Sequence, residues 1–420
     1  MSAAPRNVVV VGGGIAGLSA AERLSHHPLR IELVERSGFL GGHAAQFACK
    51  ADGACVRCGA CLVEQTLGRV TAAPAIRPRL YSRVTAIDRA DGLRVRVERQ
   101  ALSIDGQKCS NCGICREVCP EPDGVRRAFS GHHQPHFAIN PAECRFLRDG
   151  SCSRCLHACP EGAIRLDSPS FSEELHADAI VLATGFKAYD PSDKPYGYNH
   201  FANVITNLDL ERRLRRDHRL ERPSDQRVPQ RVAFIQCVGS RDAKLKHLWC
   251  SKVCCASALR LAGLLRHLHP EVAITVFYID IQTFGKDFSE RYAALRRELT
   301  WVRTIPSDIF RTPDDRLRVT AYDAPARQPL EETFDLVVLS VGITPTTNNP
   351  VLTGAGDPAL DPAGFLPQSV DGGHPRPAGI FFAGTACGPM DIAASITHAD
   401  QAAWDALGYL FPDGRPRSGA

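Results

Sequence analysis

Between Cys109 and Pro160 the chain carries eight cysteines in two runs: Cys109, Cys112, Cys115 and Cys119-Pro120, then Cys144, Cys152, Cys155 and Cys159-Pro160. A 4Fe–4S cubane takes four thiolates, and a C-x2-C-x2-C run delivers three of them from one short turn of chain. In a two-cluster arrangement of this kind, the cysteine before each proline ligates the other cluster. The spacing therefore predicts one cluster on Cys109, Cys112, Cys115 and Cys159, and a second on Cys144, Cys152, Cys155 and Cys119. Zinc sites and disulfides also use C-x2-C pairs, but neither requires the doubled C-x3-C-P ending. The seven residues between Cys144 and Cys152 predict a short added loop.

What seventeen cysteines mean depends on the compartment. The N-terminus passes from MSAAPR directly into the apolar NVVVVG, with no basic region, long apolar stretch and cleavage site in order. This predicts a reducing, cytoplasmic setting, where clustered cysteines bind metal more often than they pair. No run reaches the roughly 18 apolar residues of a membrane span, so direct membrane insertion is not expected. With 420 residues, 44% of them hydrophobic, the chain can build two or three cores, and only the polar tail after Pro412 reads as unstructured. The net charge of +4 is small, and the arginine-rich stretch from Arg212 to Arg222 mixes in acids, so it reads as a solvated helix face and no nucleic-acid partner is expected.

Residues 7 to 36 read as strand, tight turn, helix through about His27, and strand, with Gly12-x-Gly14-x-x-Gly17 at the turn and Glu35 closing the second strand. In that context the glycines form a dinucleotide-binding turn. Gly12 permits the bend, Gly14 lets the backbone approach a pyrophosphate, Gly17 lets the helix pack on the sheet, and Glu35 suits ribose hydroxyls while repelling a 2′-phosphate. The alternative is a glycine-rich turn in an α/β domain that binds nothing. Next come Cys49, Cys55, Cys58 and Cys61, four thiols within thirteen residues, which can close one further cluster locally, hold zinc, or act as redox thiols. Tyr81–Ile87 and Leu93–Gln100 alternate as a hairpin around Asp91-Gly92.

From Arg231 a second α/β unit begins, where only Gly239 follows the strand. A phosphate-cradling loop is missing, so NAD(P)H binding is not expected there. Cys237, Cys250, Cys254 and Cys255 stand in its place. With a helix starting near Ser251 they could converge as a cluster site, or be buried structural cysteines.

Three stretches resemble the FAD-binding domain of two-dinucleotide-binding flavoproteins such as thioredoxin and glutathione reductases: Arg36 to His43 with its Gly41-Gly42 pair, DAIVLATGFKAYD from Asp178, and GIFFAGTACGPMDI from Gly379. Together with IQCVGSRD at Ile235, WCSKVCCASALRLA at Trp249 and YIDIQTFGKDF at Tyr278, nearly the whole chain resembles the A subunit of heterodisulfide reductase. The resemblance implies FAD contacts at Gly42, Val84, Thr184, Gly185, Gly384, Thr385, Asp391 and Ile392. Thr385 stands where the family usually has an aspartate for the ribityl chain, and Asp391 is the candidate replacement. The resemblance also implies a cluster on Cys237, Cys250, Cys254 and Cys255 beside the flavin, and a basic side chain near the ring, here Arg260 in place of the usual lysine. An arginine keeps its charge, which favours anionic forms of the flavin. Cys387 is left over by the flavin-binding turn and reads as a packing residue or, alternatively, as the one candidate for direct thiol chemistry.

The fold expected is α/β: a thioredoxin-reductase-like pair of Rossmann-type domains with an inserted two-cluster ferredoxin-like α+β module. Its parts are an FAD-binding domain from residues 1–100, 171–225 and 346–420, an insertion at 101–170, and a degenerate NAD(P)H-type domain at 226–345. The family's methanogen subunits are longer at both ends. The function implied is an oxidoreductase: an FAD and iron–sulfur electron-transfer subunit, with up to four clusters, of a heterodisulfide-reductase-like complex. Its partners would be other subunits of the B and C type, a ferredoxin-like or sulfur-carrier protein, and a second copy in a homodimer. The alternatives are a free-standing NAD(P)H- or ferredoxin-linked flavin oxidoreductase and a subunit of a quinone-interacting complex.

Overall fold

The computed structural model describes residues 5–99, 103–105, 108–121, 124–127, 137–141, 143–166, 170–282, 288–323, 326–346, 360–367 and 377–413. The predicted domain boundary at residues 100 and 101, part of the Tyr278 to Phe288 motif and the tail from residue 414 lie outside these residues.

The chain opens with β1 (Arg6–Val11), α1 (Ile15–Ser25) and β2 (Leu29–Val34), followed by α2 (Ala60–Ala72), β3 (Ile76–Arg79) and the hairpin β4 (Ser82–Asp88) and β5 (Leu93–Arg99). Val8 to Val11 are all buried, as an unbroken apolar run is when a parallel strand is covered on both faces. After a small body comes β10 (Phe171–Ala177), antiparallel to β5 with Phe171 opposite Arg99. The two ends of the intervening segment are therefore neighbours, the condition under which an insertion leaves its host intact.

That body holds β6 (Ser103–Ile104), α3 (Ile114–Glu117), β7 (Val125–Arg127), β8 (Phe137–Ile139), α4 (Arg145–Asp149), α5 (Arg154–Ala158) and β9 (Ile164–Arg165). β6 pairs β9 and β7 pairs β8, both antiparallel, and each of the three helices is a single short turn or little more. Its core is small, built on Ile104, Val125, Phe137, Ile139, Ile164 and Leu166 packed against cysteines. The gap between Cys144 and Cys152 is α4, a helix where the spacing predicts a loop, ended by Gly150 in the left-handed region at φ 73°.

β11 (Ala179–Leu182) then returns beside β1, and β12 (Lys187–Ala188) leads to the second unit: β13 (Val204–Thr206), α6 (Asn207–Asp217), β14 (Arg231–Val238), α7 (Cys254–Leu268), β15 (Ala273–Phe277), α8 (Phe288–Glu298) and β16 (Thr300–Val302). A meander of β17 (Asp308–Arg311), β18 (Leu317–Asp323) and β19 (Gln328–Phe334) precedes β20 (Leu336–Val341) and β21 (Ile343–Thr344). The chain closes with β22 (Ile380–Phe382) and α9 (Ile392–Leu410).

Two parallel five-stranded sheets result, ordered β22-β11-β1-β2-β3 and β13-β20-β14-β15-β16. The first is covered on one face by α1, α2 and α9 and on the other by the β4, β5 and β10 sheet. The second is covered by α6, α7 and α8 on one face and the β17 to β19 meander on the other. α6 starts with a capping box, Asp209 N–H donating to Thr206 Oγ1 at 3.1 Å and Thr206 N–H to Asp209 Oδ2 at 3.0 Å. Its arginines are not simply a solvated face. Arg212 donates to Gln46 Oε1 at 2.6 Å and Arg215 pairs with Glu64 at 2.6 Å, tying the two units together. No helix among the described residues is long and apolar enough to cross a membrane.

Candidate functional site

The turn after β1 opens into a cleft between the two units. Gly12, at φ 104°, and Gly17 are required by close approach, since a Cβ on Gly17 would collide with the Gly12 carbonyl and one on Gly12 with that of Ala183. Gly14 differs: a Cβ there would meet nothing of the protein, so the space over it is available to a ligand. Glu35 Oε2 accepts from the Gly13 N–H at 2.7 Å and Oε1 from the Ser37 N–H at 2.7 Å, holding the turn and the strand end together. Each oxygen keeps a second lone pair for a hydroxyl.

Of the expected cofactor contacts, Gly12, Gly14, Glu35, Gly42, Thr184, Gly185, Thr385, Asp391 and Ile392 all line this cleft. Three do not. Gly17 lies behind the turn, Val84 is buried in the core under β1, and Gly384 is buried against Ala16 with its N–H donating to His398 Nδ1 at 3.0 Å. Asp391 is the N-cap of α9, its Oδ1 accepting from the Ala394 N–H at 2.8 Å. Cys387 is buried in the core and outside the cleft.

The opposite wall comes from the second unit. Lys252, Val253, Ala256, Ser257 and Arg260 line it, so α7 presents one face to the cleft. Arg260 Nε donates to the Val56 carbonyl at 3.1 Å, and its guanidinium lies 5.9 Å from the Phe288 ring centre. Burial lowers its pKa, while Cys58 and Asp391 act in the opposite sense. Several lining residues carry no sequence signal. His43 stacks on Phe186 at 4.6 Å, and its pKa is lowered to about 4 by burial and by Arg212, Arg36 and Arg126. Lys50 Nζ pairs with Glu211 Oε1 at 2.7 Å, both side chains almost fully buried. Glu211 Oε2 also accepts from the Ala48 N–H at 3.0 Å, and burial raises the carboxyl's pKa despite Lys50.

The cysteines gather in the expected sets to different degrees. Cys109, Cys112, Cys115 and Cys159 line one hollow of the inserted body, and Cys119, Cys144, Cys152 and Cys155 line another. Burial pushes the Cys115 thiol up to about 12 and the Cys155 thiol to about 11, with neighbouring thiols adding to it: Cys109, Cys155 and Cys112 for the first, Cys144, Cys119 and Cys152 for the second. The Ala163 N–H already points at Cys159 Sγ at 3.3 Å, the donor a thiolate attracts. Cys237, Cys250, Cys254 and Cys255 converge at the start of α7. Burial raises the thiols of Cys237 (to about 11), Cys254 and Cys255, and nearby thiols, Cys250 among them, raise each further. α7 begins at Cys254, three residues after the expected start, because Lys252 sits in the left-handed region at φ 60° and turns Cys250 back, its N–H 3.3 Å from Cys250 Sγ. Of the set at residues 49 to 61, Cys58 lines the cleft, Cys61 lies in the first turn of α2, and Cys49 and Cys55 are exposed. Among the described residues no three cysteine, histidine or acidic side chains stand close enough to chelate one metal ion. A cubane keeps its four thiolates further apart than a single zinc does.

Where a second dinucleotide turn would lie, the end of β14 is filled. The Tyr189 ring packs against Gly239, and Arg241 crosses to Asp280 in a two-pronged pair at 2.5 and 2.9 Å.

A family of NAD(P)-binding Rossmann-like domains matches residues 10–69. The chain is 32% identical, over 94% of its length, to the A subunit of the H(2):CoB-CoM heterodisulfide,ferredoxin reductase of Methanothermobacter marburgensis, and covers 62% of it. It is 33% identical to the second iron–sulfur A subunit of the CoB–CoM heterodisulfide reductase of Methanopyrus kandleri, over 94% of this chain and 63% of that one. A protein of Archaeoglobus profundus described as similar to the heterodisulfide reductase A subunit is 31% identical over 97% of this chain and 66% of its own. The chain thus spans a little over three fifths of the first two relatives. In fold it is similar to T. acidophilum thioredoxin reductase, with a TM-score of 0.56 at 13% identity, covering 97% of this chain and 100% of that one. The Lactococcus lactis thioredoxin reductase gives 0.55 at 14% identity, over 97% and 99% of the two chains.

Proposed function

We propose that, over the part of them that it spans, the chain belongs with the A subunits of heterodisulfide reductases, and that it is the FAD and iron–sulfur electron-transfer subunit of a heterodisulfide-reductase-like complex. The observation that carries this reading is α7: one face of it walls the dinucleotide cleft through Ala256, Ser257 and Arg260, while its first turn supplies Cys254 and Cys255. A flavin exchanges two electrons at once and can pass them singly to an iron–sulfur cluster, chemistry that side chains do not supply.

The residues present fit such groups. The open face of Gly14, the carboxylate of Glu35 and the Thr184 to Gly185 turn suit FAD, and Arg260 brings a cation to the wall opposite. The inserted body, whose apolar core is small, has two four-thiol hollows that suit clusters as both wires and fold-holding centres. In this reading residues 101–170 are the ferredoxin-like module, the second unit is a degenerate nucleotide domain that begins at β13 rather than at the expected residue 226, since β13 and α6 join its sheet and core, and the pieces on the β1 sheet are the FAD-binding domain. Cys49, Cys55, Cys58 and Cys61 form a fourth site at the cleft's edge, next to Arg260. The disulfide or sulfur-carrier chemistry then belongs to partner subunits, and the chain works in the cytoplasm as a homodimer.

Iron and flavin content of anaerobically purified protein tests this. Four cubanes give about sixteen iron per FAD. About eight would leave only the inserted body loaded and sink both outer sites. Rapid bleaching of bound FAD by NADH alone would replace this reading with a free-standing pyridine-nucleotide oxidoreductase.

A further inference from the structure

Gln236 is 1% exposed, and neither Nε2 nor Oε1 of its amide has a hydrogen-bond partner among the described residues. The hydroxyl of Ser340, 0% exposed, is likewise unpaired among them. Buried amides are costly to leave unsatisfied, so such a group points to a partner other than the described protein atoms. Its place in the sheet says which. β14 runs parallel to β20 with Ile235 opposite Leu339 and Val238 opposite Val341, so Gln236 and Cys237 together oppose Ser340 in a bulge. Val232, Phe234, Leu336 and Val338 all pack into the core beneath α7. The two-residue period of a strand sends Gln236 and Ser340 to that same face, one step further toward the first turn of α7. There Cys254 Sγ lies 3.8 Å from the carbonyl of Val341, the residue after Ser340.

We infer that Gln236 is a positioning and tuning residue for the iron–sulfur cluster proposed on Cys237, Cys250, Cys254 and Cys255, its amide N–H donating to a cluster sulfur; this rests on that assignment. Sulfur in a cluster accepts hydrogen bonds and does not donate them, so Nε2 is the atom that serves it. A donor at the sulfur stabilises the additional negative charge of the reduced cluster and so raises its reduction potential.

The test uses the full-length, cluster-loaded protein and the electron paramagnetic resonance signal that Cys254→Ala removes. Gln236→Leu keeps the volume and discards the donor. Its iron content is expected to stay at the parent's value, while the potential of that signal falls by about tenfold in the reduction equilibrium, about 59 mV for one electron. In the parent, glutamine labelled with ¹⁵N only in its side-chain amide is expected to show hyperfine coupling to the same signal. That second measurement decides the matter if Gln236→Leu does not fold. An unshifted potential at full iron content, or no ¹⁵N coupling, overturns the inference. If Cys254→Ala removes no iron and no signal, the cluster assignment itself fails, and the inference with it.

Discussion

Glu35 reads, from its place at a strand end, as a ribose ligand, and it has a second task that spacing does not reveal. Both of its oxygens accept backbone N–H groups, from Gly13 and from Ser37, each at 2.7 Å. Hydrogen bonds to a charged group contribute about 1.5–3 kcal/mol each. Glu35→Ala is therefore expected to weaken FAD at least about tenfold, measured by flavin-fluorescence titration of the apoprotein, and an unchanged dissociation constant would remove Glu35 from the site. His43 carries no signal at all, because a lone histidine reveals nothing of what will surround it. Its folded pKa of about 4 lies below the ordinary 6.5, since burial and three arginines oppose its charge. Between those values the unfolded chain binds the extra proton and the folded one does not, so this residue's contribution to stability is whole above pH 6.5 and is lost as pH falls toward 4. In urea denaturation, His43→Gln is expected to lose less stability than the parent between about pH 7 and pH 5; equal losses would show that His43 titrates normally.

The loop that carries Cys49 to Cys61 is held to the second unit by α6. Lys50 and Glu211, with side chains 4% and 3% exposed, form an ion pair that neither residue's neighbours announce. Removing one partner strands the other's charge, so Glu211→Ala is expected to cost about 3–5 kcal/mol in chemical denaturation, whereas Lys50→Met with Glu211→Leu together recover most of it. Equal losses in the single and double variants would mean that packing, not charge, holds the loop. α7 shows what an element adds to a motif. The adjacent pair Cys254 and Cys255 is legible in the sequence, and so is a helix, but its later start depends on Lys252 at φ 60°, and its wall on the cleft depends on which face the sheet buries. Helical spacing places Ala256 and Arg260 on one side but does not say what that side meets.

At the scale of the molecule, one parallel sheet is assembled from three separated pieces, with β11 and β22 returning to β1 after long excursions. Because β5 and β10 pair directly, the inserted body leaves and rejoins at a single edge, although Tyr81, Phe39 and Ala138 pack at its junction and Arg126 reaches the cleft. Replacing residues 101–170 with a short turn is expected to yield a folded flavoprotein that keeps FAD and loses about eight iron, judged by circular dichroism and metal analysis. Loss of FAD as well would show that the body helps build the cleft. The sequence by itself determined the features whose members lie within a few residues of each other: the glycine turn between strand and helix, the C-x2-C-x2-C runs, the hairpin at Asp91-Gly92. These depend on local backbone geometry, and spacing reports that directly. Only the tertiary structure decided that Cys58, Arg260 and Asp391 border one cleft, that Lys50 finds Glu211, and that the Gln236 amide is buried with no partner among the described residues. Those relations are set by how sheets and helices pack over long separations, where burial of apolar faces chooses the neighbours and no spacing records the choice.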